Sequence, residues 1–410
     1  MAAEDLDPRV SRVPAVTEVF AAFLKLGLTA FGGPIAHLGY FRDEFVLRRK
    51  WLDDAGYADL VALCQFLPGP ASSQVGFSLG VLRSGGLLGG LAAWVAFTLP
   101  SALLLLAFAL GAASMTGPVA QGVIHGLKLV AVAVVAQALW GMAKTLTPDR
   151  FRAAIALGAL AIVTIAGGTF GQVGAIAVGA VAGLLVCRAE PSTSGGHLTV
   201  PIGKPAAFIA FALFLSLLML PPLLAAGTGS QAVALFDAFY RSGAMVFGGG
   251  HVVLPLLQSQ AVTPGWVTPE AFLAGYGAAQ AVPGPLFTFA AYLGAVSGPL
   301  PNGPAGATIA LVAVFLPGLL LVYGMLPFWD GLRRLPRAQS AMRGANAAVV
   351  GILAAAFYNP VWTSAVHAPL DFAIALAGFL LLVVWKTPPW IAVLLLAAAG
   401  ACMGLAGAGA

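Results

Sequence analysis

The chain has 410 residues, of which 60% are apolar and 9% are charged, whereas a soluble domain has about 25% charged residues. This composition excludes a soluble globular protein and predicts an all-α polytopic membrane protein surrounded by the lipid bilayer. The formal net charge of +5 comes from basic residues in short loops between apolar runs. We therefore expect these residues to set membrane orientation, and we predict no nucleic-acid partner.

Residues 1–15 carry charged side chains and no apolar core, so they are predicted to form a cytoplasmic tail and not a cleaved secretory signal. The apolar segments that follow are of two kinds. Those of the first kind approach the roughly 20 residues that a membrane crossing needs, and they predict nine full spans. These spans are 86–112, 118–146, 152–167, 171–187, 205–226, 304–328, 338–358, 370–385 and 388–407.

The other apolar segments come in four pairs of short pieces. They are 16–30 with 34–47, 54–67 with 70–82, 231–247 with 250–261, and 268–282 with 285–298. A helix of fifteen residues reaches only about 22 Å, so no piece crosses the membrane alone. Glycine and proline separate the pieces, and these residues open unusual dihedrals and remove backbone donors. We therefore predict broken, re-entrant helices, with Asp53 and Thr268 as helix-starting residues.

Two motifs occur once in each half of the chain: a cation followed by Phe-Gly-Gly, and a glutamine followed by Pro-Gly-Pro. The first copy has Lys25, Phe31, Gly32, Gly33, Gln65, Pro68, Gly69 and Pro70, and the second has Arg241, Phe247, Gly248, Gly249, Gln280, Pro283, Gly284 and Pro285. Duplicated apolar segments with such interruptions are typical of secondary transporters. In these proteins the substrate site lies where the interruptions meet.

The duplication also predicts the domain organisation. We expect a first repeat over 16–187, a cytoplasmic linker over 188–204, an extra connecting transmembrane helix over 205–229 and a second repeat over 230–410. Five full spans separate the broken pairs of the two copies, so the second copy is predicted to be inverted relative to the first. In this arrangement the loops on the side of the N-terminus carry Lys and Arg, and the loops on the other side carry none. This predicts a multi-pass inner-membrane protein with a cytoplasmic N-terminus and an external C-terminus.

Lys25 and Arg241 occupy equivalent positions inside apolar segments. A cation at such a depth costs about 2.5–3.5 kcal/mol, so it normally faces a partner or a polar cavity. A half-helix begins after each break, the first at Pro34. These half-helices would direct free N–H groups towards the breaks. Gln65 and Gln280 would add neutral amide donors. Together these groups predict a binding site for an anionic substrate, to which both copies contribute.

Other groups are candidates for the surroundings of this site or for ion coupling, namely His125, Lys128, Arg343, Asn346, Glu18, Asp59 and Asp237. Several alternatives stay open at this stage. Arg241 could pair with Asp237 one turn away, and Lys25 could extend to the cytoplasmic surface. The glycine-rich breaks could serve helix packing instead of substrate binding.

The sequence contains no phosphate-binding loop, nucleophile elbow or dinucleotide fingerprint in a suitable context. We therefore predict that the protein is not an enzyme and has no catalytic residue and no cofactor. The histidines and cysteines lack metal-ligand spacing, so no metal is predicted. We expect these residues to be hydrogen-bonded or packed in the protein, and they include His37, His251, His367, Cys64, Cys187 and Cys402.

The segments Phe31-Gly32-Gly33-Pro34 and Gln65 to Pro70, with their second-half forms, resemble the chromate ion transporter family in its long, two-domain form. The resemblance covers about residues 16–385. It implies export of chromate across the cytoplasmic membrane, driven by the membrane potential or a proton gradient, and resistance to chromate. It also carries the substrate site onto Lys25, the two motifs and their second-half partners.

Alternatives remain within this resemblance. Sulfate has the charge and shape of chromate, so residue types alone do not distinguish the two oxyanions. A passive anion channel could use the same scaffold, because channels also use helix dipoles and rings of cations. The expected partners are the oxyanion and the lipid bilayer, and a homodimer is left open.

Overall fold

The computed structural model of the protein describes residues 12–112, 117–187, 200–247, 250–332 and 335–408. Within these residues the regular structure is helical and contains no strand. The first copy of the repeat and the helices that follow it are α1 Arg12–Thr29, α2 Gly33–Phe41, α3 Asp54–Phe66, α4 Ala71–Ser84, α5 Leu87–Ala112, α6 Pro118–Leu146, α7 Arg150–Ala166 and α8 Gly168–Val186.

The remaining helices form the second half of the protein. They are α9 Lys204–Thr228, α10 Gln231–Ala244, α11 Val253–Ala261, α12 Pro269–Ala279, α13 Phe289–Val296, α14 Gly303–Met325, α15 Trp329–Leu332, α16 Pro336–Ala356, α17 Pro369–Val383 and α18 Pro389–Ala408. A π-helical segment, Arg42–Arg48, continues α2, and short 3-10 turns precede α11 and α13. The predicted start signals are confirmed, because Asp53 accepts a hydrogen bond from the amide of Gly56 and Thr268 accepts one from that of Ala271.

In the described part of the chain, six helices are long and apolar enough to cross a membrane: α5, α6, α9, α14, α16 and α18. The prediction of an all-α polytopic membrane protein is confirmed. The other three predicted spans correspond to α7, α8 and α17, which have 17, 19 and 15 residues. Each predicted broken pair is also present as two helices, although α1, with 18 residues, is longer than the predicted piece 16–30. That these pairs return to the side they entered stays a prediction.

Equivalent helices of the two copies pack in the same way. Helix α1 crosses α5 at Gly27, where an added Cβ would lie 2.7 Å from the carbonyl oxygen of Ala96. Helix α10 crosses α14 at Gly243, where the carbonyl oxygen of Val314 leaves no room for a Cβ. Small residues allow this close backbone approach in membrane helices. The equivalent glycines Gly27 and Gly243 therefore allow the same close helix crossing in both copies.

The last helical hairpin of each half packs against the other half. Hairpin α7–α8 lies on α16, where Gly344 contacts the carbonyl oxygen of Gly179. Hairpin α17–α18 lies on α6, where Gly126 contacts the carbonyl oxygen of Leu396. Gly126 and Gly344 are equivalent positions of the repeat. The two sequence repeats are thus interlocked and do not form separate bodies.

Candidate functional site where the two copies meet

Each Pro-Gly-Pro segment reaches the Phe-Gly-Gly break of the other copy. The backbone N–H of Gly69 donates to the carbonyl oxygen of Val246 at 2.7 Å, and that of Gly284 donates to the carbonyl oxygen of Ala30 at 2.9 Å. Val246 and Ala30 directly precede the phenylalanine of the two breaks. The duplicated motifs that the sequence singled out are therefore brought together, in a crossed arrangement.

The middle glycine of each Pro-Gly-Pro segment is required by its backbone conformation and its surroundings. Gly69 and Gly284 have φ angles of 124° and 95°. A Cβ on Gly69 would lie 2.9 Å from the Cα of Gly318, and one on Gly284 would lie 2.9 Å from the Oγ of Ser101. Gly318 and Ser101 each follow the internal proline of a long helix of the opposite copy. A β-branched residue fits neither position.

Pro34 and Gly250 occupy equivalent positions and face each other. A Cβ on Gly250 would lie 3.0 Å from the Cγ of Pro34. Contact between a residue and its own repeat counterpart places both close to the axis that relates the copies. Gly32 and Gly33 have φ angles of 102° and 76°, and α2 begins directly at Gly33. The break thus ends in a helix N-terminus with free N–H groups.

The two glutamines end the helices that lead to the Pro-Gly-Pro segments. Gln65 is exposed, and Gln280 is half-buried. The Nε2 of Gln280 is buried and has no hydrogen-bond partner among the described residues. Gly248 and Gly249 of the second break lie outside those residues, and Phe247 beside them is half-buried. Gln280 therefore offers a buried amide donor near the meeting point of the copies.

Both predicted cations are paired with acids. Arg241 binds Asp237 at 2.7 Å, which is the alternative that its spacing allowed. Lys25 binds Glu44 at 3.4 Å and keeps 52% of its side chain exposed. Glu44 is 7% exposed and also binds Arg48 and Arg49. Glu44 was not predicted from the sequence, because it stands among other charged residues at the end of the piece 34–47, and only the π-helical segment turns it inward.

Glu18 also belongs to this ionic network. It binds Arg83 at 2.8 Å and Arg49 at 3.1 Å, and it accepts a hydrogen bond from the indole of Trp51 at 3.3 Å. Asp59 instead accepts a hydrogen bond at 2.9 Å from the indole of Trp329, in the second half. Glu18 and Asp59 thus connect helices, and neither is a lone carboxylate.

His125 and Lys128 lie where α6 meets the start of α17 and the turn that precedes it. The Nε2 of His125 lies 2.7 Å from the Oδ1 of Asp371, which is 3% exposed. Lys128 donates to the carbonyl oxygen of Ser364 at 3.2 Å. Asp371 was missed by the sequence analysis, although its position next to a helix-starting proline signals a capping acid.

The remaining candidates are found on α16 or act in packing. Arg343 and Asn346 are half-buried on α16, and the Oδ1 of Asn346 has no hydrogen-bond partner among the described residues. His251 is hydrogen-bonded to Tyr276 at 2.8 Å, and the ring of His37 packs against Phe97. In the described part of the chain no three His, Cys, Asp or Glu residues are grouped to hold a metal ion.

These features define a polytopic membrane protein whose two sequence repeats interlock and exchange Pro-Gly-Pro contacts at their centre. The sequence model of the family described as "Chromate transporter" matches residues 17–230 and 233–402. The chain belongs to the chromate transporter family.

Curated relatives agree with this assignment. The chain is 31% identical over 402 residues to the "Chromate transport protein" of Pseudomonas aeruginosa, covering 95% of this chain and 91% of that one. It is 30% identical over 343 residues to the "Chromate transport protein" of Cupriavidus metallidurans, covering 82% and 80%. It is 28% identical over 344 residues to the "Probable chromate transport protein" of Synechococcus elongatus, covering 82% and 81%. No solved structure matches the chain.

Proposed function

We propose that the protein is a secondary transporter that exports chromate across the inner membrane, with its N-terminus in the cytoplasm. The observation that supports this most directly is the crossed pair of hydrogen bonds from Gly69 and Gly284 to the opposite breaks. These bonds join each Pro-Gly-Pro segment to the break of the other copy, and we infer that the helix N-termini and the amide of Gln280 face the same substrate site. Membership of the chromate transporter family supports the choice of substrate.

A site of this kind suits a tetrahedral dianion. The oxygens of chromate only accept hydrogen bonds, so they need N–H donors, which helix N-termini and the free Nε2 of Gln280 supply. Lys25 supplies positive charge, because its contact with Glu44 is long at 3.4 Å and its side chain is exposed. By the repeat, Arg241 is the equivalent cation of the second copy.

The membrane potential is a sufficient driving force for export. One charge crossing 100 mV is worth about 2.3 kcal/mol, so a dianion leaving a negative interior gains about 4.6 kcal/mol. A proton gradient is the alternative, for which the His125–Asp371 pair offers a protonatable group at 2.7 Å. Neither mechanism involves chemical conversion of the ion, and we infer that the protein is not an enzyme.

Reconstitution in proteoliposomes tests this proposal. We expect chromate flux that follows the imposed potential, and we expect sulfate to compete because it shares the charge and shape of chromate. Reversal potentials separate coupling from conduction. A shift with the proton gradient indicates a proton-coupled carrier, and purely anion-selective behaviour indicates a channel. Absence of chromate flux in protein shown to be folded would contradict the proposal.

A further inference from the structure

Helices α3 and α12 are equivalent in the repeat but differ in exposure. Each ends close to the glutamine that precedes Pro-Gly-Pro. On α3, Ala58 and Ala62 are exposed. Their counterparts on α12, Leu273 and Gly277, are buried. At Gly277 the carbonyl oxygen of Leu127 on α6 leaves no room for a Cβ. This helix face is thus buried on α12 and exposed on α3.

Three further pairs of equivalent residues differ in the same sense. The side chain of Lys25 is 52% exposed, and that of Arg241 is 34% exposed. Gln65 is exposed, whereas Gln280 is half-buried. Pro34 is half-buried, and its counterpart Gly250 is buried. The difference is therefore not confined to one helix face. It extends from the first-copy cation to Pro34, whereas within the Pro-Gly-Pro segments Gly69 is buried and Gly284 is half-buried.

We propose that the exposed face of α3, formed by Ala58, Ala62 and Gln65, lines the route by which a dianionic oxyanion reaches its site from the side of the first copy. The contact of α12 with α6 closes the equivalent route on the opposite side. The identity of the substrate in this inference rests on the proposed function. By the predicted topology, the open side is the cytoplasm, as an exporter requires for loading.

The repeat also specifies the other state of the protein. The residue of α16 equivalent to Leu127 is Ala345, since each follows an equivalent glycine of its long helix. When the roles of the copies are exchanged, Ala62 packs against Ala345 and Gly277 separates from Leu127. Two arrangements of one repeated unit thus give access to the site from alternate sides.

Thiol labelling tests this inference. The background lacks cysteine through Cys64→Ala, Cys187→Ala and Cys402→Ala and is active in transport. Ala58→Cys and its repeat counterpart Leu273→Cys are each made in this background. Ala62→Cys provides a second labelling position on the exposed face of α3. Sulfonatoethyl methanethiosulfonate, which is anionic and does not cross membranes, is applied to each side of sealed vesicles. We expect labelling of Ala58→Cys and Ala62→Cys from the N-terminal side, slowed by chromate. In protein that retains transport we expect no labelling of Leu273→Cys from the N-terminal side, and slower labelling than at Ala58→Cys from the opposite side.

Each other outcome has a definite meaning. No labelling of Ala58→Cys and Ala62→Cys would place the α3 face in lipid and overturn the inference, because an anionic reagent does not reach thiols there. Labelling of Leu273→Cys from the N-terminal side at the rate of Ala58→Cys would also overturn it, since the two faces would then not open to opposite sides. Labelling of the open face that neither chromate nor sulfate slows would support the route and contradict the proposed substrate.

Discussion

The N–H of Gly284 donates to the carbonyl oxygen of Ala30 at 2.9 Å, although 254 positions separate the two residues in the chain. The bond fixes the Pro-Gly-Pro segment of one copy to the break of the other. Gly69 and Val246 make the reciprocal bond. A movement of either segment therefore displaces the opposite break, and the two halves of the site move together.

The first prediction concerns the middle glycines. Gly69→Val and Gly284→Val should each abolish chromate transport, because a side chain in the left-handed region costs about 1–2 kcal/mol and meets the opposite copy. Flux in proteoliposomes and membrane content measure the two effects separately. Gly141→Val is the control, since an added Cβ there meets no atom within 4 Å. Normal flux in both Gly69→Val and Gly284→Val would show that the Pro-Gly-Pro segments do not belong to the substrate site.

The second prediction concerns Gln74, which is fully buried. Its Nε2 donates to the carbonyl oxygens of Pro68 and Gly318, each at 3.0 Å, and so joins the first Pro-Gly-Pro segment to α14 of the other copy. Gln74→Leu should lower both transport and the unfolding temperature, since each stranded carbonyl costs about 1–3 kcal/mol. The exposed residue Gln121 provides a matched control, Gln121→Leu, which should change neither. An unchanged unfolding temperature for Gln74→Leu would contradict this role.

The third prediction concerns Lys25. Lys25→Gln should lose transport even where the protein folds, because the site loses its exposed positive charge. Lys25→Arg keeps the charge but replaces a compact ammonium with a planar guanidinium, so partial transport is expected. In Lys25→Arg, inhibition of the remaining flux by sulfate gives the change in affinity. If Lys25→Gln transports normally, the lysine serves only its ion pair with Glu44.

The fourth prediction separates two roles of Arg241. Arg241→Gln should lose transport, but so would a variant that merely strands Asp237, its partner at 2.7 Å. The double variant Arg241→Gln, Asp237→Asn removes both charges and therefore the stranded acid. We expect it to remain inactive while inserting normally, as a substrate-binding role requires. Recovered transport would assign Arg241 to the ion pair alone.

The fifth prediction concerns orientation. In the same cysteine-free background, Thr263→Cys, in the exposed turn between α11 and α12, should react with an impermeant thiol reagent from outside intact cells. Asp43→Cys, in the exposed part of the π-helical segment, should react only after the membrane is opened. External labelling at position 43 would show that the first broken pair crosses the membrane.

The sequence sufficed to predict the helices and the equivalence of the two copies, because apolar segments and Gly-Pro interruptions are local signals. It did not predict that hairpin α17–α18 covers α6, since small residues such as Gly126 permit close packing without specifying a partner. The pairing of Lys25 with Glu44 depends on a turn between them that local patterns do not specify. The difference in exposure between Ala62 and Gly277 is a property of one conformation of the chain. The repeated motifs indicate only the features that the two copies share, so they do not predict it.

The interlocked hairpins also constrain the order in which the protein is assembled. Helix α6 is synthesised early, but the helix that covers its glycine face, α18, is the last of the described helices to leave the ribosome. Until then Gly122 and Gly126, which contact Gly400 and Leu396 in the finished protein, have no partner backbone. The packing of α6 in the first half is therefore completed only after α18 has been synthesised.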